Sequence, residues 1–396
     1  MIQVIRTEQK PIKLWLQNIE PGALSQARNL ANLPFVFRHI AIMPDAHQGY
    51  GMPIGAVMAT RGVVVPNAVG VDIGCGMCAV RTSLTGLDKK SLQMILGGSK
   101  TMKGGIRSKI PLGFSHRSSR QEDWLTEERK NELSGWSVIE REYDSSLKQI
   151  GTLGGGNHFI EIQQGDDGFI WLMIHSGSRN IGFKVAKRYN ELAVSLRGKM
   201  PFSVPKQWQL AALPLESDAG RNYMLEMQCC VDFALANRRL MMDHVKASVS
   251  EVAGPVEYSE MINVSHNFAA METHFGQKVM VHRKGATRAF AGQTGIIPGS
   301  QGSASYVVRG RGEPESFMSC SHGAGRKMGR KEARRKLDLA SEKRKLDKLG
   351  IIHAIRSRKD LDEAPGSYKN ISEVIGNQRD LVDIAVKLRP LAVIKG

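Results

Sequence analysis

Phe169-Ile170-Trp171-Leu172-Met173-Ile174-His175-Ser176-Gly177-Ser178-Arg179 reads as a buried strand that stops on a histidine and runs into a glycine-bearing turn. Six consecutive apolar residues are the length of a strand, and the turn opens a helix expected around residues 182–197. The end of a strand is where a scaffold presents a side chain to a shared cavity. Four other histidines sit in similar turn-like segments: Pro44-Asp45-Ala46-His47-Gln48-Gly49, Gly155-Gly156-Asn157-His158, Asn263-Val264-Ser265-His266-Asn267 and Cys320-Ser321-His322-Gly323-Ala324-Gly325-Arg326. A sixth segment reads Val69-Gly70-Val71-Asp72-Ile73-Gly74-Cys75-Gly76. Histidines that only fill a core favour the apolar faces of helices and strands, so this pattern points to a metal enzyme.

Outward from these segments, residues 1–90 alternate short apolar runs with glycine and proline turns, which is strand territory. Residues 97–148 are polar and basic, with weak helical character from Trp124 to Glu142, and suggest a surface elaboration. Between 219 and 253, Met224, Met227, Val231, Leu235, Met242, Val245 and Val249 recur at helical spacing, predicting two helices or one bent helix with methionines in the core. Residues 276–310 return to strands and turns. A basic helix is expected over about 326–348, and a last helix near 371–388. No repeat or linker divides the chain. The expected fold is one α+β domain spanning 1–396, with a helical insertion over about 182–253.

The 396 residues suffice for a sizeable core, and 41% hydrophobic with 23% charged residues is ordinary for a soluble protein. The net charge of +17 favours a polyanionic partner such as nucleic acid. No apolar run approaches the ~20 residues of a membrane span, and the N-terminus lacks the pattern of a secretory signal. Five cysteines suit reduced thiols in the cytoplasm better than a disulfide framework.

Asp72 and Cys75, three residues apart on one turn, can address a single ion, and His158, His175 and His266 can complete one or two coordination spheres. Each alone has an ordinary explanation: a capping Asp, a buried Cys, a loop His. Together they favour a metal. Thiolate with imidazole suits zinc best. Cys78 completes a two-residue spacing with Cys75 but is assigned to structure. His322, open to a bulky ligand beside Gly-Ala-Gly, is the candidate nucleophile, since a neutral imidazole nitrogen can attack phosphorus. It also suits a metal ligand or an acid–base role. The segment Ile297–Ser305 can cradle phosphate or ribose, or be a plain hairpin loop. Arg326 to Lys348 carries eleven lysines and arginines, part solvated face and part phosphate-binding flank.

Taken together the motifs resemble the RtcB family of RNA ligases over nearly the whole length. They include Met43–His47, Gly70–Met77, Gly151–Phe159, His175–Arg179, Arg283–Ala286, Ile296–Ser300, Ser321–Arg326 and Lys395-Gly396. The resemblance implies an RtcB-type domain with antiparallel sheets around a central metal cleft. It implies joining of RNA 3′-phosphate or 2′,3′-cyclic phosphate ends to 5′-hydroxyl ends, in RNA repair or tRNA splicing, driven by GTP and Mn²⁺, and so replaces zinc with manganese. His322 would hold GMP as a phosphoramidate. Asp72, Cys75, His158, His175 and His266 would hold two ions bridged by Cys75. Asn157, Glu161, Ser300, Ser305, Tyr368 and Lys395 match nucleotide-site positions, with Glu161 and Lys395 reading guanine. Some family members use a small activator protein; no membrane is involved.

The chain departs from the pattern at Ser265, Asn180 and Cys78, none of which removes an expected ligand. The weak match over 97–148 leaves the preferred RNA open. A metallohydrolase acting on phosphate esters, or a basic RNA-binding protein with a structural metal, would share parts of this signature. Neither needs a guanine pocket.

Overall fold

In the computed structural model, which describes residues 1–97, 104–133 and 137–396, the apolar run Phe169–Ile174 leads into the strand Ile170–Ser176, buried at every position. It lies inside a seven-stranded sheet with the order Ile262–Ser265, Gly76–Arg81, Ile170–Ser176, Phe159–Gly165, Val382–Lys395, Ser305–Gly310, Thr294–Ile297. All neighbours are antiparallel, and His175 stands opposite Met77 on one side and Phe159 on the other. A six-stranded sheet has the order Gln3–Ile5, Ile12–Leu14, Val36–Tyr50, Met52–Thr60, Gln277–Lys284, Asn267–His274. Its one parallel pair joins Ile12–Leu14 to Val36–Tyr50.

One of the chain's crossings between the two sheets takes a single residue. Ser265 ends a strand of one and Asn267 begins a strand of the other, with His266 at the seam. The crossing is pinned by His266 N–H donating to the Cys75 carbonyl and Gly74 N–H donating to the Asn267 carbonyl, both at 2.8 Å.

The helical region begins at Arg179 and forms two helices, Arg179–Leu196 and Asp218–Ala253. Between them lie two short 3₁₀ turns and the strand Leu213–Pro214, which pairs with Val63–Val64. The second helix is one continuous element of 36 residues, capped by Ser217 accepting from Gly220 N–H and stopped by Gly254 at φ 81°. Met227 and Met242 are buried in it as expected and Met224 is half-buried against the same core, but Glu226, Asn237 and Arg238 are buried too.

Three expectations need correction. The basic stretch 326–348 is two helices, Arg330–Lys336 and Leu339–Lys348. Asp338 breaks it by accepting from Ser341 N–H at 2.8 Å, which caps the second helix. The helix expected near 371–388 covers only Ile371–Gly376. Beyond it, Val382–Lys395 is a strand paired on both sides, with Pro390 at a register shift where a missing N–H is tolerated. The segment 97–148, part of which (98–103 and 134–136) lies outside the described residues, is more than surface. Trp124 donates its indole N–H to Ser146 Oγ at 2.8 Å and meets Phe233 edge-on at 5.0 Å. All five cysteines are buried and unpaired. Among the described residues no helix is long and apolar enough to cross a membrane.

Candidate active site

Five side chains converge at the seam. Asp72 Oδ2 lies 3.1 Å from His158 Nε2, and Cys75 Sγ lies 3.4 Å from His158 Nε2 and 3.2 Å from His175 Nε2. His175 Nε2 in turn lies 3.4 Å from His266 Nε2. They form two groups, Asp72/Cys75/His158 and Cys75/His175/His266, which share the thiol.

The donor set fits a metal. His158 Nδ1 faces the Leu153 carbonyl at 2.9 Å and His175 Nδ1 the Asn157 carbonyl at 3.2 Å. A carbonyl only accepts, so Nδ1 carries the proton in each ring and the Nε2 lone pairs point at the thiol and at one another. His266 Nδ1 is buried without a partner. Such a cluster is repulsive until a cation sits within it. Burial pushes His175 and His266 well down, so both rings are neutral and ready to bind. Burial also pushes the Cys75 thiol up, an effect Asp72 adds to, so a bound cation is what would deprotonate it. Asp72 is ionised: burial opposes its charge, but the His158 hydrogen bond helps hold the carboxyl down at about 2.

One buried arginine on the long helix ties the ligand segments together. Arg238 Nη1 donates to the carbonyls of Gly74 (3.0 Å) and Ser176 (2.8 Å), and its Nε donates to Asn263 Oδ1 at 2.7 Å. Its Nη2 reaches Ser265 Oγ at 3.3 Å. Gly74, Ser176 and Ser265 are the chain neighbours of Cys75, His175 and His266. Asn237 adds bonds from its amide to the carbonyls of Thr152 (3.3 Å) and Gly177 (3.1 Å). Cys78, assigned to structure, is fully buried, with Sγ 3.9 Å from the Arg238 carbonyl.

His322 follows the short strand Ser319–Ser321, and its ring lies 4.8 Å from that of His266. Its Nδ1 is 2.6 Å from Asp45 Oδ2, which also accepts from the backbone N–H of His322 (3.0 Å) and Gly323 (3.3 Å). Asp45 is fully buried, which opposes its charge, yet the imidazole beside it holds the carboxyl below the usual range. An ionised Asp45 can only accept, so His322 carries its proton on Nδ1 and keeps the Nε2 lone pair free for chemistry. Gly325, at φ +71°, makes this approach possible, since a Cβ there would meet the Asp45 carbonyl at 2.1 Å.

His322 lines a cavity of roughly 670 Å³ together with Asn157, Glu161, His175, Ser300, Tyr368 and Lys395. Ser305 does not line it: its hydroxyl lies below, accepting from Gly299 N–H and the Gln163 amide, both at 3.1 Å. The loop over 298–304 joins two paired strands, so the hairpin and cradle readings describe the same wall. Burial pushes Glu161 up to about 8, against the pull of Lys395 and of a 2.6 Å bond from Gln163. Lys395 Nζ reaches Glu363 Oε2 at 2.8 Å and the Asn157 carbonyl at 3.2 Å. Glu363 also pairs with Arg326 and accepts from Tyr368 Oη at 2.5 Å. Arg326 is thus an anchor rather than part of a solvated flank. It lines the cavity together with Lys327 and Arg330, whereas Arg334 pairs with Asp362 at 2.9 Å. His47, also on the wall, is kept neutral by burial, with its pKa down to about 4.

Sequence reasoning gave Asp45, Glu363, Asn237 and Arg238 no role. Asp45 carried one signal, an acid in a proline-flanked segment beside a histidine. The other three carried none, because they are polar residues in helix or loop patterns whose partners are distant in sequence.

The family described as tRNA-splicing ligase RtcB matches residues 26–396. RNA-splicing ligase RtcB of Escherichia coli (strain K12) is 36% identical over 418 residues, covering 100% of this chain and 99% of that protein. The tRNA-splicing ligase RtcB of Thermococcus kodakarensis is 33% identical, covering 94% of this chain and 91% of its own. RNA-splicing ligase RtcB homolog 1 of Entamoeba histolytica is 32% identical, covering 96% and 86%. With a match of that span and relatives aligned over nearly their full length, the chain belongs to the RtcB family.

Proposed function

We propose that this chain is an RNA ligase, acting as one domain over 1–396, that joins 3′-phosphate or 2′,3′-cyclic phosphate ends to 5′-hydroxyl ends with GTP and two Mn²⁺ ions. The observation that carries this reading is the Asp45–His322 pair on the wall of a cavity beside a five-residue ligand cluster. A structural metal alone gives no reason to bury a carboxylate behind an exposed-edge imidazole, and the relatives, RNA-splicing and tRNA-splicing ligases, point to RNA as the substrate.

In this reading Asp45 fixes the tautomer and aim of His322 and stabilises the charge that grows on the ring. Nε2 attacks the α-phosphorus of GTP; the P–N bond forms as the bond to the bridging oxygen breaks, and pyrophosphate leaves. A cyclic phosphate end is first opened by water. GMP then passes from nitrogen to the RNA 3′-phosphate, and the 5′-hydroxyl displaces GMP to close the phosphodiester. Activation is needed because a phosphate monoester oxygen leaves poorly. Metal held by Asp72, Cys75, His158, His175 and His266 would neutralise phosphate oxygens during these displacements. Asn157, Ser300 and Tyr368 line the nucleotide, while Ser305 supports the Ser300 loop from beneath.

Glu161 and Lys395 read guanine, the carboxylate accepting from the N1 and N2 hydrogens and the ammonium donating to O6. Adenine would leave both unpaired. Because burial pushes Glu161 up to about 8, it is mostly protonated at neutral pH. Guanine needs the ionised form, so affinity for GTP rises with pH, by up to about tenfold per unit, and levels off above that pKa. Calorimetry of a non-hydrolysable GTP analogue across this range tests it. A flat profile in the native protein, or an unchanged slope in Glu161→Gln, would reject the assignment.

Cys75→Ala should weaken Mn²⁺ binding at both overlapping groups, by about 100-fold or more, since it removes the shared ligand. Titration calorimetry measures this directly, and an unchanged affinity removes Cys75 from the ligand set. The activity itself is tested by incubating purified protein with RNA fragments bearing these ends, with and without GTP and Mn²⁺. Joined product that requires both is expected. Opening of the cyclic phosphate without joining would instead identify a hydrolase.

A further inference from the structure

Phe114 is 98% exposed, the most exposed of the large apolar side chains among the described residues. Its turn is nonetheless held firmly. Leu153 N–H donates to the Pro111 carbonyl (3.0 Å), Gly113 N–H to the Gly154 carbonyl (3.1 Å) and Ser115 N–H to the Leu112 carbonyl (3.2 Å). Just beyond, the Arg117 guanidinium donates to the carbonyls of Lys109 (3.2 Å), Ile150 (3.1 Å) and Gly151 (2.8 Å). The turn is therefore fastened to the glycine-rich segment that leads into Asn157 and His158. Gly113 also backs onto Gly155 and the carbonyl carbon of Gly396, next to cavity-lining Lys395. Around it the guanidinium of Arg179 lies against Gly154 and that of Arg330 against Gly156.

A solvated ring on a turn fastened to the segment that leads into the cavity wall, with the guanidinium groups of Arg179 and Arg330 beside that segment, suits a ligand that is both anionic and aromatic. The cavity of roughly 670 Å³ is in the range that holds one drug-sized ligand, such as a nucleotide. The rest of an RNA strand must pass over the rim. We infer that Phe114 is a stacking platform for a base of the RNA strand whose end enters the cavity, an inference that rests on the ligase reading. Stacking on a bare ring tolerates any base, because every base offers a π-face.

The test uses the full chain as native protein and as Phe114→Ala, Phe114→Leu and Phe114→Trp. RNA affinity is read by fluorescence anisotropy of a labelled oligonucleotide ending in 3′-phosphate, and joining by steady-state kinetics at saturating GTP and Mn²⁺. Phe114→Ala should raise both Kd and KM for RNA about tenfold, within the range reported for loss of one base–aromatic stack. Its kcat and its labelling by GTP should be unchanged. Phe114→Trp should restore binding and Phe114→Leu should not. An abasic nucleotide scanned through both ends should reproduce the loss at one position, where Phe114→Ala adds nothing further. Native affinity in Phe114→Ala, or in Phe114→Leu, overturns the inference, because neither keeps a ring. Absence of joining and labelling in the native protein defeats the ligase reading instead, and the anisotropy series still decides whether the ring stacks on RNA.

Discussion

His322→Ala leaves the protein unlabelled by GTP carrying radioactivity at its α-phosphate, and joining of cyclic-phosphate ends falls to background, a loss of at least about 10⁴-fold. No other imidazole can take over. His175 and His266 point their nitrogens into the ligand cluster, and His47 has no buried carboxylate aligning it, only the Asp45 carbonyl at 3.1 Å from its Nδ1. The label on native protein should be labile in mild acid and stable in alkali, as a phosphoramidate is. Asp45→Asn separates aim from presence. An amide can donate to Nδ1, which moves the ring proton to Nε2 and removes the attacking lone pair. Labelling should slow by about 10²–10⁴-fold, in line with the loss of the orienting carboxylate in a catalytic triad, while the nucleophile stays in place. Label or GTP-dependent joining that survives in His322→Ala would show the nucleophile to be misassigned.

Arg238→Met lowers both stability and metal affinity although Arg238 contributes no ligand. The guanidinium is fully buried and serves two backbone carbonyls and two side-chain oxygens. Its removal leaves buried acceptors unpaired at ~1–3 kcal/mol each, so a loss of about 3–5 kcal/mol is expected by chemical denaturation. The segments carrying Cys75, His175 and His266 lose their common anchor, and Mn²⁺ affinity should fall about 10–100-fold, the usual cost of losing an outer-shell partner. Arg238→Lys keeps the charge but not the planar fork, so it should recover part of the stability and little of the affinity. Native metal affinity in Arg238→Met would reduce the residue to ordinary packing.

The strands that end on histidines were legible because continuous apolar runs and glycine turns report burial locally, as at Phe169–Ile174. The convergence of Asp72, Cys75, His158, His175 and His266 was legible only as a joint occurrence, since no spacing rule links residues on different strands. The long helix shows what periodicity hides: the pattern of Met227, Met242 and Val245 located the buried face and masked the Asn237 and Arg238 that share it. Val382–Lys395 misled for a different reason. Its burial pattern alternates irregularly around a bulge at Pro390, and only pairing with strands at 159–165 and 305–310 makes it extended. Asp338, a capping residue inside a basic run, was a local signal that the apparent single helix should end there.

The crossing at His266 bears on the order in which the molecule is assembled. Asp72 and Asn267, bonded through the Asp72 carbonyl, are 195 residues apart in the chain, and the remaining ligands lie in the chain between them, within or directly beside strands. Contacts of such separation form late and make folding slow, because the loop must close before any pairing rewards it. Only the Asp72–Cys75 pair is local enough for the ion to grip early, unlike the short loops of a zinc finger, whose whole ligand set is close enough in sequence for metal to organise the chain. Here the polypeptide must fold to its near-final form first, and metal capture becomes the last step of maturation.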